Sequence, residues 1–305
     1  MPDHHPVFSH FRPYYVEVPA GYGLDLLGTK VRYQFVAGLT TYRAGRKLTP
    51  DPLFDEEYFE WIDVLESVVA AQGSYTMIEL GAGYGRWVIR AAYAMKRRHP
   101  RMPYRLIAVE AEPVVYQWLR QHFTNNGIDP SQHTLLHGAV CETPGDVLFY
   151  IGGPRGGVFD RQPNTWYGQF LVKPHDLNSE SVADGEYSGF PVNRHQSGWR
   201  SIQVPGVTLS GILKDLERVD LIDMDIEGQE LPAVQLNMEQ LNAKVKRLHI
   251  GTHGKEIEDQ LRELLSAQGW ECQFEYTGCS TSDTPWGAIS FENGVQSWVN
   301  PRLSK

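Results

Sequence analysis

The sequence predicts a doubly wound α/β fold: a mostly parallel sheet, helices on both faces and an antiparallel final strand. Three observations carry this. Short apolar runs end in acids, as in "YTMIEL" (75–80), "YRLIAVE" (104–110) and "VDLIDMDIEG" (219–228). Runs with apolar residues at helical spacing alternate with them. The first of these strands enters a glycine turn, "GAGYG" (81–85), before the next helical run. Strands alternating with helices imply right-handed crossovers and a parallel sheet.

Taken in order, residues 1–53 are rich in Tyr, Pro and Gly and weakly periodic, so an irregular N-terminal arm is expected before a domain spanning 54–305. "FDEEYFEWIDVLESVVAA" (54–71) has apolar residues at 58, 59, 62, 65, 68 and 69, a helical stripe. "RWVIRAAYAMKRRH" (86–99) is the helix after the glycine turn, and its basic end, Lys96 to Arg98, suits a helix C-terminus. "PVVYQWLRQHFTNNG" (113–127) is a helix with Gly127 placed to stop it. "HTLLHGAV" (133–140) and "DVLFYIG" (146–152) read as strands. Residues 152–206 are dense in Gly, Pro, Asn, Asp and aromatics, and are expected to form a long insertion over the active face, with short hairpins. "VTLSGILKDL" (207–216) and "ELPAVQLNMEQL" (230–241) are helical, "VKRLHIGTHG" (245–254) is a strand and turn, and "KEIEDQLRELLSAQG" (255–269) is an amphipathic helix. "WECQFEY" (270–276) and "WGAISF" (286–291) are expected to close the sheet as an antiparallel pair.

Composition narrows the function. The 305 residues are 41% hydrophobic and 21% charged, with a formal net charge of −9. That charge argues against nucleic acid or an anionic membrane as partner. The three cysteines, Cys141, Cys272 and Cys279, form no C-x-x-C pair. The opening "MPDHHPVFSHFRPYY" has no secretory apolar core, and no apolar run reaches the roughly 18 residues of a membrane span. A cytoplasmic protein is expected, and a homo-oligomer is compatible with the sequence.

The glycine turn selects a ligand class. A phosphate loop would need Lys-Ser or Lys-Thr after its glycines, and neither is present. A dinucleotide fingerprint counted from Gly81 would need glycine where Arg86 stands, which also disfavours a nicotinamide dehydrogenase. The pattern present is acid-x-G-x-G-x-G, from Glu79 through Gly81, Gly83 and Gly85. A Rossmann-like sheet binds ligands at its strand tips, where an acid can pair with a cationic amine. S-adenosylmethionine, with its ammonium and flat nucleoside, fits this pattern. Glu110, ending the second strand, is placed to accept both ribose hydroxyls. Ala139 and Val140, ending the third, would flank the adenine.

Together with these, "VEAEP", "VTLSGIL" and "VDLIDMDIEGQELPAV" (219–234) make the chain resemble the FkbM family of S-adenosylmethionine-dependent methyltransferases. The family's acid-Ile/Val-Glu-Gly-x-Glu run is matched by Asp225, Ile226, Glu227, Gly228 and Glu230. The resemblance covers roughly residues 54–292. It implies a class I methyltransferase fold and O-methylation, often of sugars, polyketides or other secondary metabolites. The chain departs from the family pattern in the 152–206 segment and at Asp223, where a basic residue is common.

A hydroxyl acceptor needs in-line placement and a route for its proton. His253, in the turn after its strand, is the expected general base, with Asp225 beside it. Alternatively Mg²⁺ or Mn²⁺ could be held by Asp225, Glu227 and one of the two histidines, with His249 taken as the third ligand. Asp225 and Glu227 would share one side if the strand stays extended. Glu230 is expected in the first helical turn in a structural role. "NTWYGQ" (164–169) offers Trp166, Tyr167 and Gln169 as acceptor-site or lid residues. The acceptor expected is a small molecule or glycan. Methylation at nitrogen or carboxyl, and a silent cofactor-binding module, are the alternatives.

Overall fold

A computed structural model describes residues 3–36, 42–153, 156–157 and 169–303. Trp166 and Tyr167 lie outside the described residues. Seven strands make the main sheet: β1 (Tyr75–Leu80), β2 (Tyr104–Glu110), β3 (Thr134–His137), β9 (Leu221–Met224), β10 (Arg247–Thr252), β11 (Glu271–Tyr276) and β12 (Gly294–Val299). Between β3 and β9 come β4 (Ala139–Val140), β5 (Gly145–Gly153), β6 (Ser181–Tyr187), β7 (Phe190–His195) and β8 (Arg200–Val207). The main sheet runs β11–β12–β10–β9–β1–β2–β3. Its pairs are parallel except those of β12, which is antiparallel to both β10 and β11.

This is the predicted doubly wound architecture, but the antiparallel strand is not the expected one. "WGAISF" contributes Gly287–Phe291, which pairs with Ser280–Thr284 in a hairpin outside the main sheet. The strand that closes the sheet is "GVQSWV" (294–299), inserted between β10 and β11. Gln296 and Ser297 are fully buried there, so the strand shows no apolar alternation.

The helices follow from apolar stripes. α1 (Tyr58–Val69) and α2 (Arg86–Arg98) pack on one face, and α4 (Leu209–Leu213), α5 (Glu230–Gln235), α6 (Met238–Lys244) and α7 (Lys255–Ala267) on the other. α3 (Pro113–Asn125) buries Leu119 and Phe123 against the first face. Burying each such aliphatic or aromatic side chain contributes roughly 1.5–3 kcal/mol. Val7, Phe8, Phe11, Leu26 and Leu27 from the N-terminal arm are buried in the same core as α1 and α2. Pairing of Tyr15–Val18 with Gly45–Leu48 gives the arm a short antiparallel ribbon.

The 152–206 segment carries β6, β7 and most of β8, and with β5 these strands form a second, antiparallel sheet. That sheet is anchored to the first where β8 pairs in parallel with β4, the two-residue strand beyond Gly138. Gly138 is required at this crossing, since a Cβ there would overlap the carbonyl oxygen of Pro205. Among the described residues no helix is long and apolar enough to cross a membrane.

Candidate functional site

The glycine turn is built by its own surroundings. The N–H groups of Gly81 and Ala82 both donate to the Val109 carbonyl, at 3.1 and 2.9 Å. Gly81, at φ +75°, has Asp225 so close that a Cβ would overlap its carbonyl oxygen. Gly85, at φ +77°, faces Leu119 of α3, and a Cβ would overlap that side chain. These two glycines therefore serve close approach between protein segments, in a conformation that favours glycine.

The two acids of the strand tips are committed to the backbone as well. Glu79 accepts from the N–H groups of Trp87 (3.2 Å) and Val88 (2.8 Å), in the first turn of α2. Glu110 accepts from Gly83 N–H (2.8 Å) through one oxygen and Glu112 N–H (2.7 Å) through the other. Both are buried, and loss of water pushes each carboxyl up to about 8 despite those donors. A carboxylate oxygen has two acceptor sites, so Glu110 keeps capacity for a hydroxyl.

Beyond Glu110 lies a narrow cleft of about 90 Å³. Gly81, Glu110, Ala139, Val140, Phe149 and Ile226 line it, so Glu110, Ala139 and Val140 share one wall system as expected. Gln169 lines it too, and both atoms of its buried amide lack a hydrogen-bond partner among the described residues. A buried amide with free donor and acceptor suits the edge of a base. Gln169, expected as an acceptor-site or lid residue, thus lines the cleft beyond Glu110. An apolar cleft, a hydroxyl-accepting acid and an unpaired amide fit the nucleoside half of S-adenosylmethionine.

A second cavity adjoins the first, and Gly81, Asp225 and Glu227 line both. Its wall carries Glu57, Glu60, Glu79, Asp223, Asp225 and Glu227, against Arg86 and His249. Three of these groups form a row across the sheet, since Asp223 is in register with Glu79 on one side and His249 on the other.

The end of β9 differs from the sequence expectation. The strand stops at Met224, and the chain turns through left-handed conformations at Glu227 (φ +51°) and Gly228 (φ +98°). Asp225 and Glu227 therefore converge through a turn, not along an extended strand. Glu230 organises the turn, fully buried in the first turn of α5. It accepts from the N–H groups of Ile226 (3.2 Å) and Gly228 (3.0 Å) and pairs with His253 Nδ1 at 2.8 Å.

His253 Nε2 lies 3.3 Å from Asp225 and 3.5 Å from Glu227, with hydrogen-bond geometry to neither. Burial opposes its charge, but Glu230, Asp225 and Glu227 outweigh that and push it up to about 9. At neutral pH the imidazole already carries its proton, so the expected role of His253 as general base does not follow from this geometry. Donor atoms of Asp225, Glu227 and His253 lie close enough to share one divalent ion, whose binding would have to displace the proton from the buried Nε2.

The expected trio of Asp225, Glu227 and His249 is not assembled. His249 sits mid-strand, 2% exposed, and its Nδ1 meets Asp63 of α1 at 2.7 Å. It groups instead with Glu60 and Asp223. Glu60 is not among the residues singled out from the sequence, and Asp223 stands out there only as a departure from the family pattern. The signal for Asp223 was its two-residue spacing from Asp225; Glu60 fell on a helix read only for its apolar stripe.

The family profile described as "Methyltransferase FkbM domain" matches residues 79–276, which contain both strand-tip acids, the glycine turn and the Asp225–Glu230 turn. The chain belongs to the FkbM methyltransferase family. It is an S-adenosylmethionine-dependent methyltransferase. A protein of Jannaschia sp. (strain CCS1), whose name is that of a methyltransferase, is 27% identical over 223 residues, covering 73% of this chain and 72% of the relative. Among solved structures, the methyltransferase FkbM of Methylobacillus flagellatus KT is 14% identical, with a TM-score of 0.40, covering 74% of this chain and 44% of that one. A precorrin-6y C5,15-methyltransferase from Geobacter metallireducens GS-15 is 12% identical, with a TM-score of 0.40, covering 81% and 90%. These structural likenesses are distant.

Proposed function

We propose that this methyltransferase moves the methyl group of S-adenosylmethionine to a hydroxyl of a sugar, glycan or related natural product. The observation that carries the reading is the seam at Gly81, Asp225 and Glu227, where the nucleoside cleft and the acidic cavity meet. An acceptor entering the cavity would present its hydroxyl beside these carboxylates. S-adenosylmethionine supplies the chemistry: a methyl on a cationic sulfur, lost to the acceptor oxygen as the sulfur becomes neutral. The chain's work is placement, for which effective alignment contributes on the order of 7 kcal/mol or more. Asp225 takes the hydroxyl proton in this reading, and the His253 imidazolium holds Asp225 and Glu227 in place. Mg²⁺ or Mn²⁺ on Asp225, Glu227 and His253 would supply the alternative, lowering the hydroxyl's pKa.

The acid-rich wall favours one second reading, an amine acceptor methylated on nitrogen, and disfavours a carboxylate acceptor through repulsion. The test is methyl transfer from isotope-labelled S-adenosylmethionine to sugars, polyols and amines, with and without Mg²⁺, followed by NMR location of the label. Label on oxygen, with turnover reduced at least 100-fold in Asp225→Asn, supports the proposal. Label on nitrogen alone, or undiminished turnover in that variant, overturns it.

A further inference from the structure

We infer that a second metal site, separate from the Asp225–Glu227–His253 cluster, lies in the floor of the acidic cavity. It is built by Glu60, Asp223 and His249 and takes a divalent transition-metal ion such as Zn²⁺ or Mn²⁺. No step of the methyl-transfer reading uses these three residues, so the inference goes beyond it. They come from three elements, α1, β9 and β10, and one donor atom from each lies within 4.8 Å of the others. Side-chain rotation brings such donors to the roughly 2.0–2.2 Å metal distances of nitrogen and carboxylate ligands.

Two independent features mark this as more than a group of acids. Asp223 is 4% exposed and lines the cavity, yet its carboxylate accepts no hydrogen bond from any described residue. A buried carboxylate without a donor is costly, and a cation in the cavity would relieve that cost. The second feature is the support behind His249. Its Nδ1 meets Asp63 Oδ2 at 2.7 Å, and Asp63 is fully buried. Asp63 in turn accepts from Arg247 Nη1 at 2.6 Å and from the Ser297 hydroxyl. A carboxylate held ionised by an arginine fixes the proton of the imidazole on Nδ1, leaving the Nε2 lone pair for a ligand. Carboxylate–histidine–metal relays use this arrangement to orient and strengthen the imidazole. One nitrogen and two carboxylates form a donor set that Zn²⁺ and Mn²⁺ both accept. The ion would clamp α1 onto the sheet directly below the seam.

The test uses the metal-stripped full chain without cofactor, titrated with Zn²⁺ and separately with Mn²⁺ by calorimetry. Glu227→Gln serves as background, because it weakens the cluster at the strand tips. The expected result is one ion per chain in that background, with affinity lowered at least tenfold when Asp223→Asn is added. Substitution with Co²⁺ should give a visible absorption band in the background protein that the added variant removes. Circular dichroism reports whether Asp223→Asn folds; if it does not, Glu60→Gln on the helix takes its place, with the same tenfold loss expected. No ion bound in the Glu227→Gln protein, or equal affinity with and without the second substitution, overturns the inference.

Discussion

The two clefts that meet at Gly81 use the same residue type in opposite ways. In the cleft at the strand tips Glu110 gives both oxygens to backbone N–H groups, fixing the shape of the glycine turn. In the acidic cavity Asp223 and Glu60 accept no hydrogen bond from a described residue, and burial with neighbouring acids pushes both carboxyls well above their usual range. A saturated acid determines form, whereas an unsaturated one stores an attraction for positive charge. The family motif runs through both regions, yet it distinguishes neither use.

The largest effect is expected where the regions join. Gly81→Ala should overlap the Asp225 carbonyl and force a left-handed residue, costing on the order of 3–5 kcal/mol by steric crowding and backbone strain together. Thermal unfolding reads this; an unshifted midpoint would show that the seam can open, and would break the comparison. Glu110→Ala comes next. It should weaken S-adenosylhomocysteine binding by about 1–3 kcal/mol, the scale of leaving a buried hydroxyl without its partner, measured by calorimetry. Unchanged affinity would remove Glu110 from the ribose and leave it a purely structural residue.

The smallest effect concerns pH. The Glu79 carboxyl is raised from its ordinary value to about 8 by burial, so the folded protein holds its proton more tightly than the unfolded chain does. Its contribution to stability is complete below the unfolded value near 4.5 and is lost as pH rises through about 8. In Glu79→Gln that loss is absent, so its melting temperature should fall less between pH 5 and pH 8 than that of the parent, by roughly 2–4 °C. Parallel curves would show that the Trp87 and Val88 N–H groups already hold Glu79 ionised.

Much of this arrangement was legible in the sequence, because the strands that position the site are buried on both faces and read as apolar runs. β1, β2 and β10 needed only that pattern and their punctuating acids and glycines. β6 was not legible, since its residues are mostly exposed and show no alternation. β12 escaped for the opposite reason, carrying Gln296 and Ser297 into the interior. Within the site, period-two logic assumed that β9 continued past Met224. The left-handed Glu227 broke that period, so His253 rather than His249 meets Asp225 and Glu227. Local spacing carries no record of such a turn, because Glu230 imposes it from beyond the strand.

The place of β12 has a bearing on how the molecule is made. It follows β11 in the chain but lies inside it in the sheet, hydrogen-bonded on both sides. During synthesis β10 and β11 therefore emerge before the segment that must sit between them. Each waits with an open edge, the condition under which nascent strands pair wrongly. The acidic floor around His249, whose register partner on β12 is Ser297, is therefore complete only once β12 is in place.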